Sequence, residues 1–271
     1  MRFILFISFF LGCFCGYSQI NTAKTSISIP VFRQVSYPFL PSITSDYFYF
    51  SEDGLMWFST ANGLSSFDGT SVMNHSTQQQ ANELTLNRVD CIVEDEFHNF
   101  YLGSGTGLIY YNRKNKTFSP IIFTSSDRKE KQDFAFMSLF RDNNGIVYGG
   151  TYSRGLVIYN PENKKSTHLN LDPSKQDNWK SRNSNTIRCF APHYSDSSKL
   201  WVGSFDGIYL YNKKTKTFER NFIVKNPASN SDGSIVNYYD VHKMEVLNDS
   251  IIWFNSWSGG FSEYNVNSGN V

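Results

Sequence analysis

The chain has 271 residues, of which 17% are aromatic and 18% charged, and its formal net charge at pH 7 is +1. Nucleic acids and anionic membranes bind clusters of Lys and Arg, so this balanced charge supports neither partner. Helical periodicity is absent, and a high aromatic content favours pleated, packed strands. The composition therefore predicts an all-β protein with no nucleic acid partner for this region.

The first residues carry the marks of an export signal. A single arginine precedes an apolar run, and the small residues Gly16 and Ser18 fit cleavage after Ser18. We therefore predict a signal peptide over residues 1–18 and a mature chain on the periplasmic or extracellular side of the inner membrane. The alternative is a lipoprotein signal that uses Cys13, although Phe10 stands where such signals usually carry leucine.

Beyond the signal, one motif recurs five times: aromatic, apolar, small, Ser or Thr, a short variable run, Gly, apolar, then an aromatic with Asn or Asp. A repeat of roughly 50 residues is typical of the blades of a β-propeller. The anchoring aromatic residues of the copies are Trp57, Tyr101, Tyr148, Trp201 and Trp253. The repeats therefore predict one propeller domain over residues 19–271.

Each repeat divides into four short strands joined by tight turns rich in Asp, Asn and Gly, which predicts four-stranded antiparallel blades. In the second repeat the strands are expected at 89–94, 100–103, 107–111 and 117–123. Residues 265–271 match the turn after the third strand of the fourth repeat, so the last blade lacks a fourth strand. We therefore expect about five blades in an incomplete ring that continues beyond this chain, because a propeller closes to protect its edges.

The motif also assigns packing roles. We expect the anchoring aromatics to fill the space between blades, and the small residue two positions later to let backbones approach closely. The glycine that opens each third strand is expected to adopt a positive φ. Cys91 and Cys189 occupy matching places in alternate blades, too far apart for a disulfide, and we expect buried free thiols.

Few side chains are suited to catalysis. Asp53, Asp95, Asp142 and Asp206 fall in turns, where an aspartate bonds to its own backbone. The histidines share no spacing with cysteines or carboxylates, so no metal site is supported, and no cofactor is predicted. We therefore predict that this region is not an enzyme. A glycan-processing propeller is the enzymatic alternative.

Short basic runs at 113–116, 128–131 and 213–216 lie between strand-like segments. Charge runs in such places are usually solvated, so we interpret all three as hairpin turns in water.

A ligand site is predicted at the turns between the second and third strands, the most variable part of the motif. In a propeller these turns gather at one end, where loops commonly carry binding. Their aromatic side chains suit stacking on a sugar ring and their polar groups suit its hydroxyls. The predicted ligand-binding residues are Trp257, Arg154, Tyr152, Phe205 and Asp206, with Trp257 and Arg154 as anchors. The alternative is a set of ordinary surface turns.

The repeats resemble the two-component regulator propeller family. The resemblance is carried by 53-DGLMWFSTANGLSSFD-68, one residue short after Asp53, and by 142-DNNGIVYGGTYSRGLVIYN-160, with one residue added before Gly155. The lead-in 84-LTLNRV-89 and, more loosely, 184-SNTI-187 are also similar to that family. The resemblance covers nearly the whole mature chain.

This resemblance implies the N-terminal extracytoplasmic ligand sensor of a two-component-type signalling protein, often for carbohydrate in Bacteroidetes. It implies a small-molecule or oligosaccharide partner and a parent protein that continues into a membrane helix and a histidine kinase. The membrane would then be reached only through that missing C-terminal segment, and a homodimer of the full-length protein is left open. The alternative is a protein-interaction propeller scaffold.

Overall fold

The structure is a computed structural model that describes residues 45–60, 63–75, 88–124, 131–132, 134–171, 185–205, 207–222, 240–256 and 259–271. All of its named elements are β-strands, which confirms the predicted fold class. Within these ranges no helix is long and apolar enough to cross a membrane. The predicted signal peptide, residues 1–18, lies outside the described residues.

Four sheets each contain four antiparallel strands in chain order, as predicted for propeller blades. The first sheet is β1 (Ser45–Phe50), β2 (Met56–Thr60), β3 (Gly63–Phe67) and β4 (Val72–His75). The second is β5 (Cys91–Glu94), β6 (Phe100–Ser104), β7 (Gly107–Asn112) and β8 (Thr117–Ile121), followed by the two-stranded ribbon β9 (Phe123–Thr124) and β10 (Lys131–Gln132).

The later sheets repeat this order. The third is β11 (Phe136–Arg141), β12 (Val147–Thr151), β13 (Leu156–Asn160) and β14 (Lys165–Leu169), and the fourth is β15 (Ile187–Pro192), β16 (Lys199–Ser204), β17 (Gly207–Asn212) and β18 (Thr217–Phe222). The fifth sheet has three described strands, β19 (Val241–Val246), β20 (Ile251–Ser256) and β21 (Gly260–Asn265).

The fourth strand of the second repeat is shorter than predicted. β8 ends at Ile121, and Phe123 belongs to the separate ribbon. The ring of Phe123 is buried, with ring centroids 5.5 Å from Phe134 and 5.8 Å from Phe136. Burial between the second and third sheets therefore takes Phe123 out of the predicted strand.

Four hydrophobic cores join the five sheets, each core formed between two sheets that follow one another in the chain. The anchors Trp57, Tyr101, Tyr148 and Trp201 are at most 6% exposed, as expected for residues that fill these spaces. Trp253 differs, because 39% of its surface is exposed. Its prediction as a buried anchor is wrong within the described structure.

The close approach expected at the small residue of the motif is confirmed at its glycines, as Gly103 and Gly203 show. A Cβ atom placed on Gly103 would lie 2.4 Å from Cys91 Sγ, and one on Gly203 would lie 2.5 Å from Cys189 Sγ. Both cysteines are buried free thiols, as predicted, and burial raises the pKa of the Cys189 thiol to about 12. In both blades the cysteine on the first strand therefore leaves no room for a side chain at the glycine opposite it on the second strand.

The glycines that open the third strands all have positive φ, which confirms that prediction, with values of 120° at Gly63, 143° at Gly107, 73° at Gly155, 144° at Gly207 and 69° at Gly260. Gly155 is also confined by its surroundings. An added Cβ there would lie 2.3 Å from the carbonyl oxygen of Leu169, so the position excludes any other residue on two grounds.

Candidate functional site

The strand register defines two ends of the molecule. Ile187 pairs with Ser204, and Val241 pairs with Ser256. The first strand of each of these sheets therefore begins at the end where the second strand turns into the third. We call this the upper end. The lower end carries the turns between first and second strands and between third and fourth strands. The predicted ligand residues belong to the upper end.

Three of the predicted ligand residues are described, and all three are half-buried: Tyr152, Arg154 and Phe205. The backbone N–H of Tyr152 donates to the carbonyl oxygen of Ala135 at 2.8 Å. The guanidinium carbon of Arg154 lies 5.9 Å from the ring centroid of Phe134. Asp206 and Trp257 lie outside the described residues. Tyr152 and Arg154 are therefore held against the segment that leads into the third sheet.

One residue ties the turns of the third and fourth sheets together. Thr186 is fully buried, and its Oγ1 accepts a hydrogen bond from the N–H of Ser153 at 3.1 Å. Its carbonyl oxygen accepts from the N–H of Phe205 at 2.9 Å. Thr186 lies in the lead-in segment 184–187, so this segment holds the backbones of both predicted turns in fixed positions.

Sequence reasoning missed an ion pair at the same end. Arg188 donates to Asp240 through two parallel hydrogen bonds of 2.9 and 3.0 Å, with side chains only 9% and 3% exposed. His242 Nε2 lies 3.2 Å from the second oxygen of Asp240. Such a forked pair is rigid and specific in its geometry. Its partners are 52 residues apart, and no motif connects them in the sequence.

The lower end confirms the structural reading of three aspartates. Asp95 accepts from the N–H groups of Phe97 and Asn99 at 2.9 and 2.8 Å, and Asp142 accepts from the N–H groups of Asn144 and Ile146 at 3.0 and 3.1 Å. Asp53 accepts from the hydroxyl of Ser51 in its own turn, which with Arg113 holds its pKa below the usual range despite partial burial. Asp206 is not among the described residues.

The basic runs, by contrast, are not simply solvated turns. Arg113 and Lys213 follow equivalent Asn residues, and their side chains are 14% and 16% exposed. The guanidinium carbon of Arg113 lies 4.9 Å from the ring of Trp57, and the Lys213 nitrogen lies 5.3 Å from the ring of Tyr148. A cation over an aromatic face is attractive, so these residues help to hold adjacent sheets together. Both runs are hairpin turns with mostly exposed residues, as predicted, and the interpretation as solvated turns is wrong only for Arg113 and Lys213. Most of the third run, residues 128–130, lies outside the described residues.

A buried histidine adds to the first of these contacts. His75 lies 2.9 Å from the Ser66 hydroxyl through Nε2 and 2.7 Å from the Tyr111 hydroxyl through Nδ1. Burial lowers the pKa of His75 to about 4, and the nearby charges of Lys116 and Arg113 act in the same direction. The ring is therefore neutral at pH 7. With both nitrogens engaged, it joins the first two sheets.

Three clefts between adjacent sheets open at the lower end, with volumes of about 400, 420 and 330 Å³. None of the three is lined by Tyr152, Arg154 or Phe205. Among the described residues, no group of His, Cys, Asp or Glu side chains is arranged to hold a metal ion. The described ligand residues predicted from the sequence are therefore separate from these three clefts.

No known family model matches this chain. A histidine kinase, P4, of Formosa agariphila is 27% identical over 169 residues, a match that covers 60% of this chain and 11% of the kinase.

Solved structures share the fold, and two of them are extracellular domains of signalling systems. The extracellular domain of a hybrid two-component system from B. thetaiotaomicron has a TM-score of 0.62 at 18% identity, over 84% of this chain and 30% of that chain. The extracellular domain of a one-component system from the same organism has a TM-score of 0.60 at 18% identity, over 83% and 27% of the two chains. This chain thus spans less than a third of each of these proteins.

Proposed function

We propose that this chain is the extracytoplasmic ligand-sensing propeller of a two-component-type signalling protein. The observation that carries the proposal is the similarity to a histidine kinase in sequence and to extracellular domains of signalling systems in fold. Export through the predicted signal over residues 1–18 belongs to the same proposal. Any kinase output, membrane helix or homodimer would belong to the parent protein.

The proposed ligand is a carbohydrate or small metabolite, bound at the upper end. Thr186 fixes the turns that carry Tyr152 and Phe205, so two aromatic side chains stand on rigid supports. The buried Arg188–Asp240 pair lies at the same end, at the beginning of the first strands of the fourth and fifth sheets, and adds a fixed pair of charges there. Rigid aromatic surfaces with a few placed polar groups suit sugar recognition.

Calorimetric titration of the purified exported protein with a panel of oligosaccharides tests this function. We expect one class of oligosaccharide to bind, and we expect Tyr152→Ala or Phe205→Ala to weaken that binding by about 1 to 3 kcal/mol, as for a binding anchor. Trp253→Ala is the matched control, because it removes an exposed aromatic ring outside the upper end. A ligand whose affinity is unchanged in both upper-end variants would place the site elsewhere.

A further inference from the structure

The cleft between the third and fourth sheets is positively charged. It has a volume of about 330 Å³, and its lining includes three lysines and no aspartate or glutamate. The lysines are Lys165, Lys213 and Lys216, and two buried tyrosines, Tyr148 and Tyr211, form part of the wall. A concave surface with one sign of charge concentrates its field and attracts ions of the opposite sign.

Lys213 is held in place before any ligand arrives. Its nitrogen lies 3.3 Å from the Asp142 carboxylate and within 5.6 Å of the rings of Phe140 and Tyr148. Asp142 is itself occupied by two backbone N–H groups and by the Tyr148 hydroxyl at 3.0 Å. An ammonium group has three donors, so Lys213 keeps hydrogen-bonding capacity beyond this ion pair.

The other two lysines lie on turns whose backbones are fixed. The N–H of Lys165 donates to the side-chain oxygen of Asn163 at 2.9 Å, and the N–H of Lys216 donates to the carbonyl oxygen of Asn212 at 2.9 Å. Both residues are exposed, so their side chains lie at the mouth of the cleft. The Asp142 carboxylate offsets the charge of Lys213, so Lys165 and Lys216 give the cleft its excess of positive charge, which a bound anion would offset.

The neighbouring clefts have different charges. The cleft between the second and third sheets is lined by three carboxylates, Asp95, Glu96 and Glu162, and by the single cation Arg141. The cleft between the first and second sheets carries three cations together with Asp53 and Asp68. Among these three clefts, a lining of cations without carboxylates occurs only between the third and fourth sheets.

We propose that this cleft binds an anionic ligand through Lys165, Lys213 and Lys216. The recognised group is a carboxylate, sulfate or phosphate, with the two tyrosine rings against the body of the ligand. The cleft is at the lower end, so the inference does not depend on the proposed sugar site at the upper end.

The test is calorimetric titration of the purified chain with sodium sulfate, sodium phosphate and sodium galacturonate, at constant ionic strength and with galactose as the neutral comparison. These arms separate inorganic anions from an acidic sugar. The test variant is Lys165→Gln with Lys216→Gln. The matched control is Lys164→Gln with Lys214→Gln, which removes two charges from the same two hairpins at exposed positions that do not line the cleft.

The two double variants are also matched in backbone strain. Lys164 and Lys216 have positive φ of 57° and 58°, and each double variant replaces one of these two residues. We expect at least one anion to bind saturably and the cleft variant to weaken it roughly tenfold or more, the loss of one or two charge-assisted contacts. The control is expected to stay within about twofold of the wild type. Equal losses in the two variants, or no saturable anion binding, would overturn the proposal.

Discussion

Trp201 in the fourth sheet and Trp253 in the fifth occupy the same position of the same motif, yet only Trp201 is buried. Trp201 is 2% exposed and packs against the fifth sheet, in a core that includes Tyr264 and Val266. Trp253 is 39% exposed, its ring lies 5.4 Å from the exposed ring of Phe261, and its indole N–H donates to Glu263. The motif places an aromatic ring on one face of its sheet, and the residues that pack on that face decide how much the ring contributes to stability.

The cross-strand neighbours already differ between the two tryptophans. Trp201 stands between Ala191 and Leu210, whereas Trp253 stands between two glutamates, Glu245 and Glu263. Directly paired side chains are the unit of sheet stabilisation. Apolar pairs therefore accompany the buried ring and charged pairs the exposed one, although the linear motif is the same.

The largest expected effect comes from deleting the buried ring. Trp201→Ala should lower the free energy of unfolding by about 3 to 5 kcal/mol, since it leaves a cavity between two sheets. Trp253→Ala should cost less than about 1 kcal/mol, because its ring is already partly in water. Urea denaturation of both variants measures the difference. Similar losses would mean that the two faces are equally covered in solution.

A second prediction concerns the pH dependence of stability at the interface between the first and second sheets, where His75 lies beside Trp57. His75 lies 4.8 Å from the Trp57 ring, and its pKa is lowered from 6.5 to about 4. Between pH 6.5 and 4, His75 is therefore protonated in the unfolded chain and neutral in the folded chain. The contribution of this group is therefore complete above pH 6.5 and falls by up to about 3 kcal/mol as the pH drops to 4.

Stability measured against pH by urea denaturation, with His75→Gln as the comparison, checks this prediction. Gln can still bond to Ser66 and Tyr111, but it carries no titrating group at position 75. We expect its slope between pH 6.5 and 4 to be flatter than that of the wild type. Parallel slopes would mean that His75 does not report on the first interface.

The repeating part of this fold could be read from the sequence because it depends on local chemistry. The order of strands, the positive φ of the opening glycines such as Gly155, and the buried thiol of Cys91 all follow from patterns within one repeat. The sequence of one repeat could not show that β8 ends before Phe123, because the rings that pack on Phe123, those of Phe134 and Phe136, lie in the next repeat.

Side chains that join different repeats were missed for the same reason. The sequence places Arg113 in a polar run, but its side chain lies on Trp57 and pairs with Asp53, 60 residues earlier in the chain. The Arg188–Asp240 pair joins the fourth and fifth sheets. Sequence reasoning identified the upper-end turns as candidates, but the polar groups beside them became visible only once the sheets were placed together.

The last prediction concerns how closely neighbouring strands approach each other two positions after each tryptophan. Two positions after the tryptophan stands Gly203 in the fourth sheet and Asn255 in the fifth. A Cβ on Gly203 would lie 2.5 Å from Cys189 Sγ and 2.9 Å from Val241 Cγ1, so Gly203→Ala should cost about 1 to 3 kcal/mol through overpacking. Asn255 is exposed and already carries a Cβ, so Asn255→Ala should stay within about 0.5 kcal/mol of the wild type. Thermal unfolding of the two variants distinguishes them. If Gly203→Ala unfolded at the wild-type temperature, the close contact between β15 and β16 would have to relax in solution, and the distinction between the two sites would rest on the tryptophans alone.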